Sequence, residues 1–244
     1  MKAAQQKVLV TGASGFIGRV ICPSLESKGV VIRAFDRSLC DVVGDVVRGD
    51  LSDLPLLRRA ASGIDTIINF AACSHAAAFI THLVPSHVLG RANALEATRR
   101  EAVCRFIFER NCQASDRAAK SQTIPVNDQH PTDLYGLTRL RSEVMGAMRS
   151  RRREILVIAA RLGWLVRDKL EFAELSCLSY GARLSLGRRD LRDFFYRAVT
   201  ATSEGFGILH STSRRLSDGF FGMEKTRRVL GFAPRQFFPE GAFE

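Results

Sequence analysis

The chain has 244 residues, 46% of them hydrophobic and only seven of them proline, so it buries a sizeable core and is not disordered. No run of about eighteen apolar residues occurs, which argues against a membrane span, and six cysteines without a Cys-x-x-Cys pair argue against a zinc site or a disulfide framework. The net charge of +11, from 36 Lys+Arg against 25 Asp+Glu, suits an anionic ligand as well as nucleic acid.

The polar start, Met1 to Gln6, leads straight into an apolar run and leaves no room for a secretory signal, so reduced thiols in a cytoplasmic protein are expected. Val8 to Val10 reads as a strand that stops at Thr11. Glycines follow at positions 12, 15 and 18, and the amphipathic segment Phe16 to Leu25 comes next. That is the order strand, tight turn, helix. Gly12 permits the turn, Gly15 lets main-chain N–H groups approach a diphosphate, and Gly18 lets the helix pack closely. With Ser14, Phe16 and Ile17, these glycines form an anion site at the positive end of the helix.

Val30 to Phe35 is a second strand. Asp36 ends it, 18 residues past Gly18, where a dinucleotide fold places the carboxylate that binds the adenosine ribose. A carboxylate there repels a 2′-phosphate and favours NAD over NADP, while Arg37 is suited to meet such a phosphate. Asp45 to Asp50 is a third short strand, with Ser52 as the capping residue of the helix that follows. Asp50 is placed either to reach an adenine amino group or to cap that helix. Asp65 to Phe70 is a fourth strand, nearly all apolar, as strands covered on both faces are. Ala71 and Ala72 then offer small side chains beside a nicotinamide riboside, and Ser74 and His75 follow in the loop. His75 reads as an ordinary loop histidine in preference to a catalytic one.

Pro85 suits the first turn of a long helix running to about Ala102. Cys104 to Phe108 is a fifth strand. Tyr135 opens the next helix, whose apolar residues Leu137, Leu140, Val144, Met145 and Met148 predict its buried stripe. Tyr135 and Arg139 are four apart and share a face, so the cation is positioned to hold a phenolate. The densest basic run, Arg149 to Arg153, has no interleaved aromatics and reads as a solvated loop, which disfavours nucleic acid as a partner. Ile155 to Ala160 is a sixth strand. The last ~80 residues are less regular, with helices over 169–180, 189–201 and 223–230, a strand over 207–210, and Gly231 closing the last helix. The alternation of strands and helices predicts an α/β protein with a doubly wound parallel sheet. Residues 1–164 form the dinucleotide-binding domain, and residues 165–244 a small substrate lobe on the same core.

Several pieces, taken together, resemble the extended short-chain dehydrogenase/reductases, the NAD-dependent epimerase/dehydratase family. They are Thr11-Gly-Ala-Ser-Gly-Phe-Ile-Gly18, Asp36, Gly49-Asp50-Leu51, Asn69-Phe-Ala-Ala72, Arg105-Phe-Ile-Phe108 and Leu134-Tyr-Gly-Leu-Thr-Arg139. The tail, with Arg189-Asp-Leu191 and Leu230-Gly-Phe-Ala-Pro-Arg235, looks like the short uronate-dehydrogenase-like members. The resemblance implies a Rossmann fold, NAD as cofactor with NADP disfavoured, no metal, and a sugar or sugar acid as substrate. It also implies a homodimer formed through the helices around 85–102 and 135–150. It carries cofactor contacts onto Gly12, Ser14, Gly15, Phe16, Ile17, Gly18, Asp36, Arg37, Asp50, Leu51, Ala71, Ala72, Tyr135 and Arg139, and catalysis onto Tyr135, Arg139 and Asn111.

Two positions depart from the family pattern. Where the family carries a serine or threonine three residues past the fifth strand, this chain carries Asn111, which donates a hydrogen bond but does not pass a proton as a hydroxyl does. Ser115 lies four residues further on. Where the family carries lysine in Tyr-x-x-x-Lys, this chain carries Arg139, bulkier, planar and permanently charged. The expected activity is an NAD-dependent oxidoreductase or epimerase of a sugar or sugar acid. The alternative is a dinucleotide-binding sensor or subunit with little or no turnover.

Overall fold

The computed structural model describes residues 5–73, 78–111, 133–151, 155–179, 181–203, 205–213, 221–239 and 242–243. Ser74, His75, Cys112, Ser115 and Tyr180 lie outside them. Seven strands form one parallel sheet: β1 (Lys7–Thr11), β2 (Val31–Asp36), β3 (Asp45–Arg48), β4 (Thr66–Asn69), β5 (Arg105–Asn111), β6 (Leu156–Leu162) and β7 (Phe206–Ser211). Their order is β3-β2-β1-β4-β5-β6-β7. Helices flank the sheet: α1 (Phe16–Glu26), α2 (Leu54–Ala61), α3 (Gly90–Arg100), α4 (Leu134–Arg151), α5 (Lys169–Cys177), α6 (Gly181–Leu184), α7 (Arg188–Thr200) and α8 (Glu224–Leu230). This is the Rossmann-like α/β fold expected from the alternation.

The chain divides into two compact units. The first comprises residues 1–108, 131–159 and 202–207, the second 109–130, 160–201 and 208–244. In the first, β1 pairs in parallel with both β2 and β4, Val10 meeting Ala34 on one side and Ile68 on the other. The strand order reverses at β1, and in open α/β sheets a ligand crevice forms at the carboxyl ends of the strands flanking such a point. Val8, Leu9, Val10, Ile67 and Ile68 are wholly buried, which is why these strands are apolar on both faces. Helix α1 buries Gly18, Ile21, Cys22 and Leu25, one stripe at helical spacing. Burial pushes the Cys22 thiol up to about 12, making it a core group rather than a reactive one.

Several expectations are corrected. The cap of α2 is Asp53, whose Oδ1 accepts the Leu56 N–H at 2.9 Å, not Ser52. The helix expected to start at Pro85 starts earlier, as a π-helical segment over Phe79–Leu89 that runs into α3, and α3 stops at Arg100. The Leu83 N–H reaches back to the Ala78 carbonyl at 3.1 Å, and the Gly90 N–H to that of Pro85. Pro85, with no N–H to give, sits within these wide turns. Strand β5 continues to Asn111 rather than ending at Phe108. Its neighbour β4 stops at Asn69, opposite Phe108, whereas its other neighbour β6 is seven residues long.

The largest correction concerns α4. The expected buried stripe faces outward: Leu137, Val144 and Met148 are 44%, 60% and 46% exposed, and Leu140 and Met145 only partly buried. The buried face is polar or small: Tyr135, Gly136, Thr138, Arg139, Ser142, Glu143, Gly146 and Ser150. Small residues here bring the helix close to the sheet. A Cβ on Gly146 would lie 2.9 Å from Val157 Cγ1 and 3.3 Å from the Phe108 and Phe206 rings. The basic run is not wholly loop, since Arg149 and Arg151 fall in the last turn of α4, where cations complement the helix dipole. Arg149 also bonds Glu96 of α3 at 3.0 Å.

In the second unit, Val166, Leu175, Leu184 and Phe221 form one core cluster. Asp168 caps α5 through the N–H groups of Leu170 and Glu171, both at 2.9 Å. Asp190, on α7, holds the C-terminal segment by accepting the N–H groups of Arg235 (2.9 Å) and Gln236 (3.0 Å), and its carboxyl is raised by burial. Gly231 closes α8 at φ +61°, as expected. Among the described residues, no helix is long and apolar enough to cross a membrane.

Candidate active site

The glycine turn is shaped by close backbone contacts. Gly12 has φ +75°, and a Cβ on it would lie 2.5 Å from the Ala71 nitrogen. A Cβ on Gly15 would lie 3.2 Å from the Gly12 carbonyl oxygen, and one on Gly18 would lie 2.5 Å from that of Ala13. Gly18 therefore makes room for the turn itself as α1 begins. Gly15 is the N-cap of α1 and gives it no side-chain cap, so the positive end of the helix is left to a ligand.

A cavity of about 260 Å³ lies at the carboxyl ends of the first four strands. Of the residues expected at the cofactor, Gly12, Ser14, Gly15, Asp36, Arg37, Asp50, Leu51, Ala71 and Ala72 line it. Phe16, Ile17, Gly18, Tyr135 and Arg139 do not. Asp36 accepts the Ser14 N–H on one carboxylate oxygen and the Ser38 N–H on the other, each at 3.0 Å, which ties the end of β2 to the glycine turn. Asp50 accepts the Ser52 N–H at 2.8 Å and has the Arg37 guanidinium at 3.5 Å. Partial burial opposes its charge, but the Ser52 bonds and Arg37 win and hold its carboxyl below the usual range. The cradle fits an adenine dinucleotide on three counts: glycines where no Cβ has room and a helix N-terminus without a side-chain cap for the diphosphate, and a carboxylate at the end of β2 for the ribose.

Sequence reasoning missed the wall contributed by the π-helical segment, where Thr81, His82, Pro85 and Ser86 line the same cavity. It also missed Gly49, Phe35, Phe70 and Cys73 there. Pro85 inside a helical run was the only signal available. It pointed to a helix start, whereas an interior proline also marks a place where bonding widens.

Tyr135 and Arg139 come together on α4 as expected. An Arg139 guanidinium NH₂ donates to the Tyr135 hydroxyl at 2.7 Å, and its central carbon lies 4.9 Å from the ring centroid. Tyr135 is 7% exposed and Arg139 5%, so the bond is sheltered from water and stronger for it. Asn111 is the last residue of β5, and its side chain lies outside the described residues. Behind Tyr135 sits His87, 1% exposed, its ring centroid 5.4 Å from that of Tyr135 and nearly edge-on at 69°.

A family model, the NAD dependent epimerase/dehydratase family, matches residues 8–165. An L-arabinose 1-dehydrogenase (NAD(P)(+)) of Haloferax volcanii is 26% identical over 247 residues, covering 94% of this chain and 96% of its own. A uronate dehydrogenase of Pseudomonas syringae pv. tomato is 28% identical over 162 residues, covering 64% of this chain and 58% of its own. Among solved structures, uronate dehydrogenase from Agrobacterium tumefaciens superposes with a TM-score of 0.80 at 20% identity, covering 96% of this chain and 86% of that one. The match spans the glycine turn, Asp36, the π-helical wall and the Tyr135 helix, so the chain belongs to the NAD-dependent epimerase/dehydratase family.

Proposed function

We propose that the protein is an NAD-dependent oxidoreductase or epimerase acting on a sugar or sugar acid, with Tyr135 as acid/base, Arg139 as its electrostatic partner and Asn111 as donor to the reacting oxygen. The observation that carries the reading is the sheltered 2.7 Å bond from Arg139 to the Tyr135 hydroxyl. A phenolate there has a permanent cation to accept from, so Tyr135 can take a proton from a substrate hydroxyl or return one to a carbonyl. Gly12, Ser14, Gly15 and Asp36, with Leu51, Ala71 and Ala72, would hold the cofactor, and bound NAD supplies the hydride acceptor or donor. Arg139 does not deprotonate, so a proton held on Tyr135 leaves by a route other than a side-chain amine.

The substrate class rests on similarity to the arabinose and uronate dehydrogenases and on the short lobe over 165–244, which favours a monosaccharide-sized ligand. The outward apolar stripe of α4, with Leu137, Val144 and Met148, supports a homodimer, which sedimentation would detect. For activity, the protein is mixed with NAD and a panel of aldoses and uronic acids while NADH absorbance is followed. Turnover that Tyr135→Phe abolishes is the expected result, and none with any sugar would end the reading.

A second reading, a dinucleotide-binding sensor or subunit, draws on the same bond: Arg139 occupies the Tyr135 hydroxyl and cannot relay its proton. It predicts NAD binding by calorimetry without turnover, and activity gained by Asn111→Ser with Arg139→Lys.

A further inference from the structure

His87 occupies the junction of three segments, and its two ring nitrogens bridge them. Nε2 lies 3.0 Å from the Cys73 N–H and 3.2 Å from the Cys73 carbonyl oxygen. The Thr138 hydroxyl donates its proton to the Tyr135 carbonyl at 2.7 Å. The same hydroxyl lies 2.9 Å from His87 Nδ1. A continuous chain results: Cys73 backbone to imidazole, imidazole to Thr138, Thr138 to the first turn of α4. Cys73 lines the cofactor cavity, and Tyr135 carries the hydroxyl that Arg139 holds.

We propose that His87 is a positioning residue for the reaction, fixing the Tyr135 turn of α4 against the Cys73 segment of the cavity wall by bonding Thr138 through Nδ1 and the Cys73 backbone through Nε2. The proposal rests on the reading of Tyr135 as acid/base. The His87 backbone is tied to α4 as well, since the Ser142 hydroxyl bonds the Thr138 carbonyl at 3.1 Å and lies 3.5 Å from that of His87. The charged and titratable groups around it are Arg91 from α3 and Arg139 and Tyr135 from α4. Burial first, then Arg139 and Arg91, push His87 down to about 3, so the ring is neutral at neutral pH. A ring 1% exposed and 5.4 Å from Tyr135 is not placed to meet a substrate itself. It acts through its neighbours.

The test compares His87→Leu, His87→Asn, Thr138→Val and Thr138→Ser in the full chain, each checked by circular dichroism. Asn keeps one donor and one acceptor, and Ser keeps the hydroxyl. His87→Leu and Thr138→Val are expected to lower kcat at least tenfold while the NAD dissociation constant moves less than threefold. His87→Asn and Thr138→Ser recover to within threefold of wild type. The double variant His87→Leu/Thr138→Val falls no further than either single one, because both cut the same chain. A second readout needs no turnover: the near-ultraviolet circular dichroism of Tyr135, isolated by subtracting Tyr135→Phe, changes in His87→Leu and Thr138→Val and not in the conservative pair. Should His87→Leu fail to fold, the two Thr138 variants decide. Unchanged kcat, or losses that multiply in the double variant, would overturn the proposal. If no sugar is turned over by the wild type, the functional reading fails, and an unchanged Tyr135 dichroism signal in His87→Leu and Thr138→Val overturns the positioning role separately.

Discussion

The glycine turn and the first turn of α4 lie in the same unit and are built by opposite means. At the turn, backbone does the work. Gly12, Gly15 and Gly18 are required because the chain passes within 2.5 to 3.2 Å of where a Cβ would be, and only Asp36 adds a side chain of consequence. At α4, side chains do it: a buried cation on a buried phenol, a buried imidazole behind, and two hydroxyls linking them. The backbone device tolerates no substitution but little can go wrong around it. The side-chain device can be built in more than one way, and this chain builds it with arginine.

That contrast is sharpest under substitution. Gly12→Val meets a left-handed φ and the Ala71 backbone together, so a loss of NAD affinity of about 100-fold or more and a lower melting temperature are expected, read by calorimetry and thermal unfolding. Tyr135→Phe should lower kcat by about 10²–10⁴ and leave NAD affinity within a few-fold, since under the proposed function it removes the acid/base and no part of the cavity wall. An equal loss of NAD binding in that variant would erase the distinction between the regions. Gly146→Val tests the inward polar face of α4: with Val157 and two phenylalanine rings within 3.3 Å of the new Cβ, a cost of about 1–3 kcal/mol in urea unfolding is expected.

The smallest effect is one of pH. The His87 imidazole, about 3 in the folded chain, returns to about 6.5 on unfolding, so below pH 6.5 the unfolded state takes up a proton the folded state refuses. Its share of stability is complete above that pH. It is lost at up to about 1.4 kcal/mol per pH unit as acid is added down to about 3. In His87→Asn this part of the acid slope should vanish from urea unfolding measured between pH 6.5 and 4.

The same division explains what could be read from the sequence. The strands, the glycine turn and Asp36 were legible because their requirements are local: apolar runs, φ-permissive residues at fixed spacing, an acid at a strand end. Tyr135 and Arg139 were legible as a pair, because a spacing of four fixes a shared helix face. The direction of that face was not. Leu137, Val144 and Met148 mark a stripe, but whether it turns in or out depends on Gly146 meeting Val157 and on Arg139, Thr138 and Ser142 finding partners inside. The π-helical wall escaped for a related reason, since Pro85 signals a break in bonding without saying whether the helix starts or widens there. His87 drew no attention because its partners lie 14 and 51 residues away in sequence.

The central claim is that the turn between residues 11 and 18 grips a diphosphate and fixes the geometry around it. A crystal structure of the protein with NAD tests this most directly. The account predicts the diphosphate within about 3 Å of main-chain N–H groups at the start of α1, with the adenosine ribose at Asp36. A dinucleotide bound elsewhere, or a glycine turn left empty at saturating NAD, would contradict it.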